Sequence, residues 1–261
     1  MSDVWESGGA YEAYVGRWSR LVADEFLKWT DVPAGGGWLD VGCGTGELTR
    51  VILDHCQPTG VTGVDPSRAF LALARERTLD RRAEFLERDA QALPFEDSRF
   101  DACVSGLVLN FVPEPERGVS EMARVTRGGG TVAAYVWDYA GKMEMIRYFF
   151  DAAVALDPAA AEVDEGSRFP ICSPEGLAAL FTSAGLRTVA IRAIDIPTHF
   201  RDFDDYWTPF LAGTGVAPAY AMSLSEDRRA ALRERIRQSL PVAQDGSISL
   251  VARAWAVKGT T

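Results

Sequence analysis

Three glycines at two-residue spacing, Gly42, Gly44 and Gly46, lie in the segment WLDVGCGTGELT (residues 38–49). They fall between a strand-like run and a helical run, where glycine-rich turns bring backbone amides close to a nucleotide. The dinucleotide pattern G-x-G-x-x-G requires a glycine where this chain has Glu47. Asp40 precedes the loop, and a carboxylate there repels a pyrophosphate but attracts a cation. The pattern therefore favours a cationic ligand without phosphate.

The surrounding sequence alternates between strand-like and helical runs. Such alternation predicts βαβ units and a parallel sheet covered on both faces. The two intervals 139–172 and 197–246 are too long for plain loops, so we expect helical insertions there. The predicted strands are 37–42, 60–65, 83–89, 100–106, 130–138, 187–196 and 247–257, and the predicted helices are 47–56, 67–77, 115–127 and 173–186.

The glycine segment LDVGCGTGELT resembles motif I of the class I S-adenosylmethionine-dependent methyltransferases, in the small-molecule ("type 11") branch that includes the ubiquinone/menaquinone-biosynthesis type. GVTGVDPS resembles that family's second-strand motif, and ERDAQALPFEDSRFDACVSGLVLNFV resembles its Asp-Ala segment and fourth strand. EMARVTRGGG resembles the turn into the fifth strand, with Thr126 and Arg127 where the family often has Leu-Lys-Pro. The resemblance covers residues 37–138. It implies a Rossmann-like, doubly wound α/β fold with a seven-stranded sheet, mostly parallel with an antiparallel last strand, plus helical insertions that form a lid.

The resemblance also implies S-adenosyl-L-methionine as the cofactor, whose ammonium and sulfonium groups suit the acidic loop. Asp65 is expected to accept hydrogen bonds from both ribose hydroxyls, although a helix N-cap would also explain it. Asp89 and Ala90 are expected beside the adenine, the alternative for Asp89 being a turn carboxylate. The predicted cofactor-binding set is Tyr14, Arg17, Trp18, Asp40, Gly42, Cys43, Gly44, Gly46, Asp65, Pro66, Asp89, Ala90 and Gly106, with Cys43 contributing backbone and not a nucleophile.

The stretch before the first strand places Tyr11, Tyr14, Trp18 and Val22 on one helical face. A core stripe explains this pattern. In the alternative explanation, Tyr14 and Trp18 cover the cofactor while Arg17 pairs with its methionine carboxylate. We accordingly predict one methyltransferase domain over 1–261. It comprises cofactor-covering helices (1–35), a cofactor-binding core (36–138), and a substrate lid made by the insertions 139–172 and 197–246.

The acceptor is expected beyond the carboxyl ends of the strands, beneath the insertions. The aromatic density in the second insertion, HFRDFDDYWTPF, suits either an apolar lid over an apolar or aromatic small molecule or the lid's own core. His199 is the candidate general base, the alternative being a structural histidine. The predicted acceptor-binding residues are Asn110, Phe111, Trp137, His199 and Trp207.

Composition excludes several other functions. The chain has 261 residues and a net charge of −10, which disfavours a nucleic-acid partner. The basic run from Arg228 is interpreted as one face of an amphipathic helix, the alternative being a phosphate-binding patch. Four cysteines without a C-x-x-C pair and two histidines predict no metal site. No signal peptide or membrane-spanning run is recognisable, so we expect a cytoplasmic location.

The sequence therefore predicts methyl transfer from S-adenosylmethionine to a small organic acceptor by in-line displacement. No N/D-P-P-Y-like tetrapeptide follows the fourth strand, which argues against methylation of nucleic-acid or glutamine amino groups. Two alternatives remain at this point. One is a non-catalytic S-adenosylmethionine-binding scaffold or sensor, and the other is an NAD(P)-dependent oxidoreductase, against which the glycine spacing and Asp40 count.

Overall fold

The computed structural model describes residues 16–212 and 215–261. Within these ranges seven strands form one sheet in the order β3-β2-β1-β4-β5-β7-β6. The strands are β1 (Gly37–Val41), β2 (Gly60–Asp65), β3 (Ala83–Glu87), β4 (Phe100–Gly106), β5 (Thr126–Trp137), β6 (Arg187–Phe200) and β7 (Ile248–Thr260). The α-helices are α1 (Ser19–Thr30), α2 (Glu47–His55), α3 (Arg68–Arg77), α4 (Pro115–Val125), α5 (Glu144–Leu156), α6 (Glu165–Arg168), α7 (Pro174–Ser183), α8 (Phe203–Trp207), α9 (Val216–Ser223) and α10 (Glu226–Ser239).

Strands β1 to β5 pair in parallel, with β1 between β2 and β4. Strand β7 runs the other way. The Gly129 amide donates to the Thr261 carbonyl (3.2 Å) and the Asp138 amide donates to the Arg253 carbonyl (2.9 Å). Residue numbers therefore rise along β5 while those of its partners in β7 fall, as in an antiparallel pair. The predicted α/β fold, with its mostly parallel seven-stranded sheet and antiparallel last strand, is confirmed.

The described chain packs as two compact units. The core unit comprises Ser19–Val136, Ile171–Ile194 and Ala254–Thr261. The insertion unit comprises Trp137–Pro170 and Asp195–Arg253, together with the described residues up to Trp18. None of the helices in the described ranges combines the length and apolar composition needed to cross a bilayer.

Helix boundaries follow the capping residues in the sequence. Ser67 caps α3 by accepting from the Phe70 amide (3.3 Å), and Ser173 caps α7 by accepting from the Gly176 amide (3.1 Å). Gly185 has a left-handed φ of 80° just after α7, as its place in the sequence predicts.

Several predicted boundaries were wrong. Strand β5 begins at Thr126 and not at residue 130, and strand β7 ends at Thr260 and not at residue 257. The helix predicted over 115–127 ends at Val125, because Thr126 already pairs with Phe100 in the sheet. The strand predicted to end at residue 196 continues to Phe200, since buried and exposed positions still alternate there.

The core unit links its first described helix to its last strand. The ammonium group of Lys258 in β7 donates to the Trp29 carbonyl (2.8 Å) and the Thr30 carbonyl (3.4 Å) at the end of α1. It also lies 4.9 Å from the Trp29 ring centroid. A cation at a helix C-terminus satisfies carbonyls that have no partner within the helix and interacts favourably with the helix dipole.

The insertion unit is held together by a largely buried ion pair. The Arg147 guanidinium makes two 2.8 Å bonds to the Asp164 carboxylate and donates to the Tyr139 carbonyl (3.0 Å). The Arg147 and Asp164 side chains are 15% and 11% exposed. The pair thus fastens the segment before α6 to helix α5.

Replacing Arg147 with Ala should lower the free energy of unfolding by roughly 2–4 kcal/mol, because it leaves the Asp164 carboxylate buried without its cation. Urea denaturation would measure the change. The matched control is Arg228→Ala in the same unit, since Arg228 lies 3.6 Å from Asp157 in an exposed pair. That substitution should cost less than about 1 kcal/mol. Equal losses in the two variants would contradict the assignment.

Candidate active site

The glycine loop between β1 and α2 depends on left-handed backbone. Gly42, Gly44 and Gly46 have φ angles of 73°, 52° and 81°. A Cβ on Gly42 would lie 2.4 Å from Val108 Cγ1, whereas a Cβ on Gly44 would meet no atom within 4 Å. Gly42 is therefore required by packing, while Gly44 borders open space where a ligand can approach the backbone.

The Asp65 carboxylate, at the carboxyl end of β2, holds this loop. Its Oδ2 accepts from the Gly44 amide (3.0 Å) and its Oδ1 accepts from the Ser67 amide (2.8 Å). Burial raises the pKa of Asp65, partly offset by these two bonds. Each carboxylate oxygen retains capacity for a further donor. The N-cap explanation for Asp65 is wrong, because Ser67 caps α3.

Asp40 lies behind the loop with no exposed surface. Its Oδ2 accepts from the Thr49 hydroxyl on α2 at 2.6 Å, and its Oδ1 is buried with no partner in the described structure. Burial raises its pKa to about 7, with a smaller contribution from the nearby Asp65 charge. The structure thus places Asp40 as a support of the loop and helix, not on a ligand-facing surface.

Cys43 turns its side chain away from the open side of the loop. The thiol is buried with Leu71, Ala74 and Phe85 in the core, and burial raises its pKa well above the ordinary value. Its backbone amide donates to the Val64 carbonyl at 3.0 Å. A protonated thiol in an apolar pocket is not a nucleophile.

Asp89 and Ala90 follow β3 at the edge where Asp65 lies. The register pairs Asp65 with Glu87, and the Arg88 amide donates to the Asp65 carbonyl (3.1 Å). The Asp89 carboxylate is exposed there. Two acidic side chains therefore end neighbouring parallel strands.

Helix α4 anchors the loop that follows Asp89. Glu121 accepts from the Leu93 amide (2.8 Å), and Arg124 donates to the carbonyls of Leu93 (2.9 Å) and Phe95 (2.8 Å). These bonds fix the loop to the core unit.

The segment after β4 completes this edge of the core unit. A Cβ on Gly106 would lie 2.6 Å from the Tyr135 hydroxyl, so packing requires glycine there. Leu107 adopts a left-handed φ of 61°, which is unfavourable for leucine, and its amide donates to the Tyr135 carbonyl (2.8 Å). This turn brings Val108 against Gly42. The amide nitrogen of Asn110 is buried without a partner among the described residues.

These residues fit S-adenosylmethionine. Asp65 and Asp89 offer hydrogen-bond acceptors for hydroxyl and amine groups, and Gly44 leaves open space at the loop. The segment 38–49 contains no lysine or arginine that would pair with a phosphate. These acidic hydrogen-bond acceptors suit a nucleoside with a positive charge better than they suit a dinucleotide.

The insertion unit contains Arg17 and Trp18. The Arg17 guanidinium pairs with Asp205 (3.1 Å) and lies 4.4 Å and 4.7 Å from the ring centroids of Trp18 and Phe200. Trp18 is buried. The predicted contact of Arg17 with the methionine carboxylate stays a prediction, and Tyr14 and Tyr11 lie outside the described residues.

The aromatic density of the second insertion forms that unit's own core. Trp207 is buried and nearly parallel to Phe203 (8°, centroids 6.5 Å apart), and Phe149 stacks on Phe210 at 4.6 Å. Of the two interpretations offered by the sequence, the structure supports the second, in which these aromatic side chains form the insertion's own core. Trp137 is likewise buried, and its indole nitrogen has no partner in the described ranges.

His199 lies on the exposed side of strand β6. Its Nδ1 is 3.4 Å from the Ser249 hydroxyl of β7, while its neighbours Thr198 and Phe200 face the buried side. The strand alternation therefore separates His199 from the buried Trp137 and Trp207. A role as general base stays a prediction that this placement does not support.

Known proteins resemble this chain in sequence and structure. A family profile described as a methyltransferase domain matches residues 39–134. Phosphatidylethanolamine N-methyltransferase of Cereibacter sphaeroides is 46% identical over 102 residues, which are 38% of this chain and 49% of that protein. Demethylmenaquinone methyltransferase of Staphylococcus aureus (strain JH9) is 32% identical over 167 residues, 59% of this chain and 69% of that one.

A solved structure of phosphoethanolamine N-methyltransferase 2 from Haemonchus contortus, in complex with phosphomonomethylethanolamine and S-adenosylhomocysteine, has the same fold. It superposes with a TM-score of 0.61 at 17% identity, covering 97% of this chain and 56% of that one. The chain belongs to the class I S-adenosylmethionine-dependent methyltransferases. The match to the Cereibacter enzyme spans only about half of that enzyme (49%), so the acceptor of this methyltransferase is a matter for proposal.

The family resemblance inferred from the sequence is confirmed, and S-adenosylmethionine is the cofactor of this family. Individual cofactor contacts stay predictions, including that of Pro66, which lies exposed between Asp65 and Ser67. Sequence reasoning missed Thr49 and Val108, which support the loop from α2 and from the turn after β4. Thr49 lies nine residues after Asp40, on the first turn of the helix. No local pattern reveals Val108, because its contact with Gly42 is long-range.

Substituting Ala for Gly42 should weaken binding of S-adenosylhomocysteine at least about tenfold, because the methyl group overlaps Val108 and the left-handed φ disfavours alanine. Calorimetric titration would measure the change. Gly129→Ala is the matched control, since Gly129 has a φ of 75° but open space around its Cβ position. Adding Val108→Ala to Gly42→Ala should recover part of the affinity. No recovery would contradict a steric cause.

Asp40→Asn should reduce the loss of stability between about pH 5 and pH 7. The folded-state pKa of Asp40, about 7, exceeds its ordinary value of 3.8, so the unfolded chain ionises first as pH rises. The stability that protonated Asp40 contributes is fully present below pH 3.8 and is lost as the pH rises to about 7. Between pH 5 and pH 7 the free energy of unfolding of the variant, measured by urea denaturation, should fall less than that of the wild type, by on the order of 1–2 kcal/mol.

The control for this pH dependence is Asp54→Asn, which removes an exposed carboxylate from the end of α2. It should leave the wild-type slope in place. If Asp40→Asn retained the full wild-type slope, the titration would belong to another group.

Proposed function

We propose that this methyltransferase transfers a methyl group from S-adenosylmethionine to a small organic acceptor. The observation that carries the proposal is the Asp65 carboxylate, which ends β2 while holding the Gly44 amide at 3.0 Å. The Asp65 carboxylate, a hydrogen-bond acceptor with a negative charge, thus lies beside a backbone loop that borders open space at Gly44. Such a site suits a ribose diol and a positively charged amino-acid tail.

The chain's own residues would bind and orient the cofactor. Asp65 would accept from the ribose hydroxyls with the oxygen lone pairs that Gly44 and Ser67 leave unused. Asp89 would accept from the adenine amine, and the loop at Gly44 would approach the methionine part. When bound, S-adenosylmethionine would supply a methyl group on a positive sulfur: the acceptor lone pair would form the new bond to the methyl carbon, and the electrons of the breaking carbon–sulfur bond would remain on S-adenosylhomocysteine.

The acceptor side of the core unit offers Asn110. Its buried amide nitrogen has no partner among the described residues, so it is available to donate to an oxygen of an acceptor. Phe111 follows it. The two curated relatives are named for phosphatidylethanolamine and demethylmenaquinone, each a polar head on an apolar tail. These observations support a small acceptor with apolar parts.

The proposal assigns no general base. Displacement at the activated methyl carbon depends mainly on holding the acceptor in line with the breaking carbon–sulfur bond. His199 lies on the exposed side of β6 and is left out of the proposed machinery. An acceptor that carries a proton would release it after or during attack.

Calorimetric titration with S-adenosylmethionine and S-adenosylhomocysteine, and with NAD and NADP as comparison ligands, tests the cofactor. Only the adenosyl ligands should bind, and Asp65→Ala should weaken them by about 100-fold through loss of two charge-assisted hydrogen bonds. Asp80→Ala is the matched control, because Asp80 is a half-buried carboxylate before β3, at the opposite strand end. It should leave binding unchanged.

Turnover is tested by measuring S-adenosylhomocysteine release with a panel of amine, phenol and quinol acceptors. Release that depends on one acceptor supports the proposal. Tight cofactor binding without release for any acceptor would favour the non-catalytic scaffold instead. Binding of NAD in place of the adenosyl ligands would exclude the proposal altogether.

A further inference from the structure

Gln91 bridges two segments at the edge of the core unit. Its side-chain nitrogen donates to both oxygens of the Asp89 carboxylate, each at 3.1 Å. Its backbone amide donates to Asp89 Oδ1 at 2.8 Å. Its side-chain oxygen accepts from the Glu114 amide, just before α4, at 2.9 Å. The side chain of Gln91 is therefore bound at both ends.

The Glu114 contact determines which end of the Gln91 amide faces Asp89. A backbone N–H can only donate, so it requires the side-chain oxygen of Gln91. The nitrogen must then point to the carboxylate, which can only accept when ionised. This network removes the usual ambiguity in the orientation of a glutamine amide.

The same network distinguishes the two oxygens of Asp89. Oδ1 receives two N–H donors, from the Gln91 backbone and side chain, whereas within the described part of the chain Oδ2 receives the side-chain donor alone. With two lone pairs on each oxygen, Oδ2 has the greater remaining capacity. Gln91 thus sets the plane of the carboxylate and leaves Oδ2 as the oxygen with more capacity for a further donor.

We infer that Gln91 is a positioning residue that sets the specificity of the site for a 6-aminopurine. The inference rests on the proposed function, because it takes Asp89 as the group that accepts from the adenine amine. Gln91 acts through Asp89: it presents Oδ2 to the exocyclic N–H and holds it against rotation. An ordered acceptor rejects a ligand that offers a carbonyl in place of the amine.

The test compares S-adenosylhomocysteine with S-inosylhomocysteine, in which the amine at purine position 6 is replaced by a carbonyl. Calorimetry with the full chain should show the adenosyl ligand binding at least about tenfold more tightly. Gln91→Ala should reduce this ratio to about twofold, mainly by weakening the adenosyl ligand. Gln91→Glu should do the same, since it places a second carboxylate against Asp89.

Controls separate positioning from general damage. Gln238→Ala removes a glutamine that donates to the Glu234 carboxylate (3.0 Å) on α10 of the insertion unit, and should leave the ratio unchanged. Asp89→Ala should lower the ratio as Gln91→Ala does, and the double variant should show no further loss, as expected for residues acting as a unit. Thermal melts of each variant report any loss of folding.

The outcomes distinguish this inference from the proposed function. A reduced ratio in Gln91→Ala with an unchanged melting temperature supports it. Wild-type discrimination that Gln91→Ala retains would overturn it and leave the cofactor assignment in place. Wild-type protein that binds neither ligand would contradict the proposed function and this inference together.

Discussion

The hydrogen bond from the Gly44 amide to the Asp65 carboxylate joins the two parts of the chain from which the proposed cofactor site is built. It connects the turn after β1 to the end of β2, and it requires the turn to keep a left-handed backbone at three glycines. Val108 then packs where Gly42 has no side chain. Two contacts therefore determine the shape of the loop: the hydrogen bond of Gly44 to Asp65, and the packing of Gly42 against Val108 in the turn after β4.

The electrostatics of this edge follow from the different burial of three carboxyl groups. Asp89 is exposed, Asp65 is nearly buried but accepts two backbone amides, and Asp40 is fully buried with one hydroxyl donor. Burial raises the pKa of Asp65 and raises that of Asp40 to about 7, so Asp40 is partly protonated near neutral pH. The negative charge beneath the loop is therefore reduced near neutral pH.

Local signals in the sequence predicted most of the fold. Ser173, Pro174 and Gly185 delimit α7 because capping depends on a few neighbouring residues. The strands of the parallel sheet are short runs that mostly alternate with helices along the chain. The family motifs located the glycine loop, Asp65 and Asp89. What local patterns could not supply were contacts between distant segments. Trp207 suited a substrate lid as well as a core until its stack on Phe203 was seen, and the strand alternation that turns His199 outward extended beyond the predicted strand.

The route of the chain through the core unit bears on how the protein is made. Residues 254–261 lie in this unit with the glycine loop, Lys258 closes the end of α1, and the Thr261 carbonyl and amide pair with Gly129 and Gly130. These partners are separated by more than a hundred residues, and such distant pairings close slowly. During synthesis the sheet around β5 must wait, with one side unpaired, until the last of these residues has left the ribosome. The edge of the sheet that carries Asp65 and Asp89 is built from earlier residues, so it can form while the part around β5 is still incomplete.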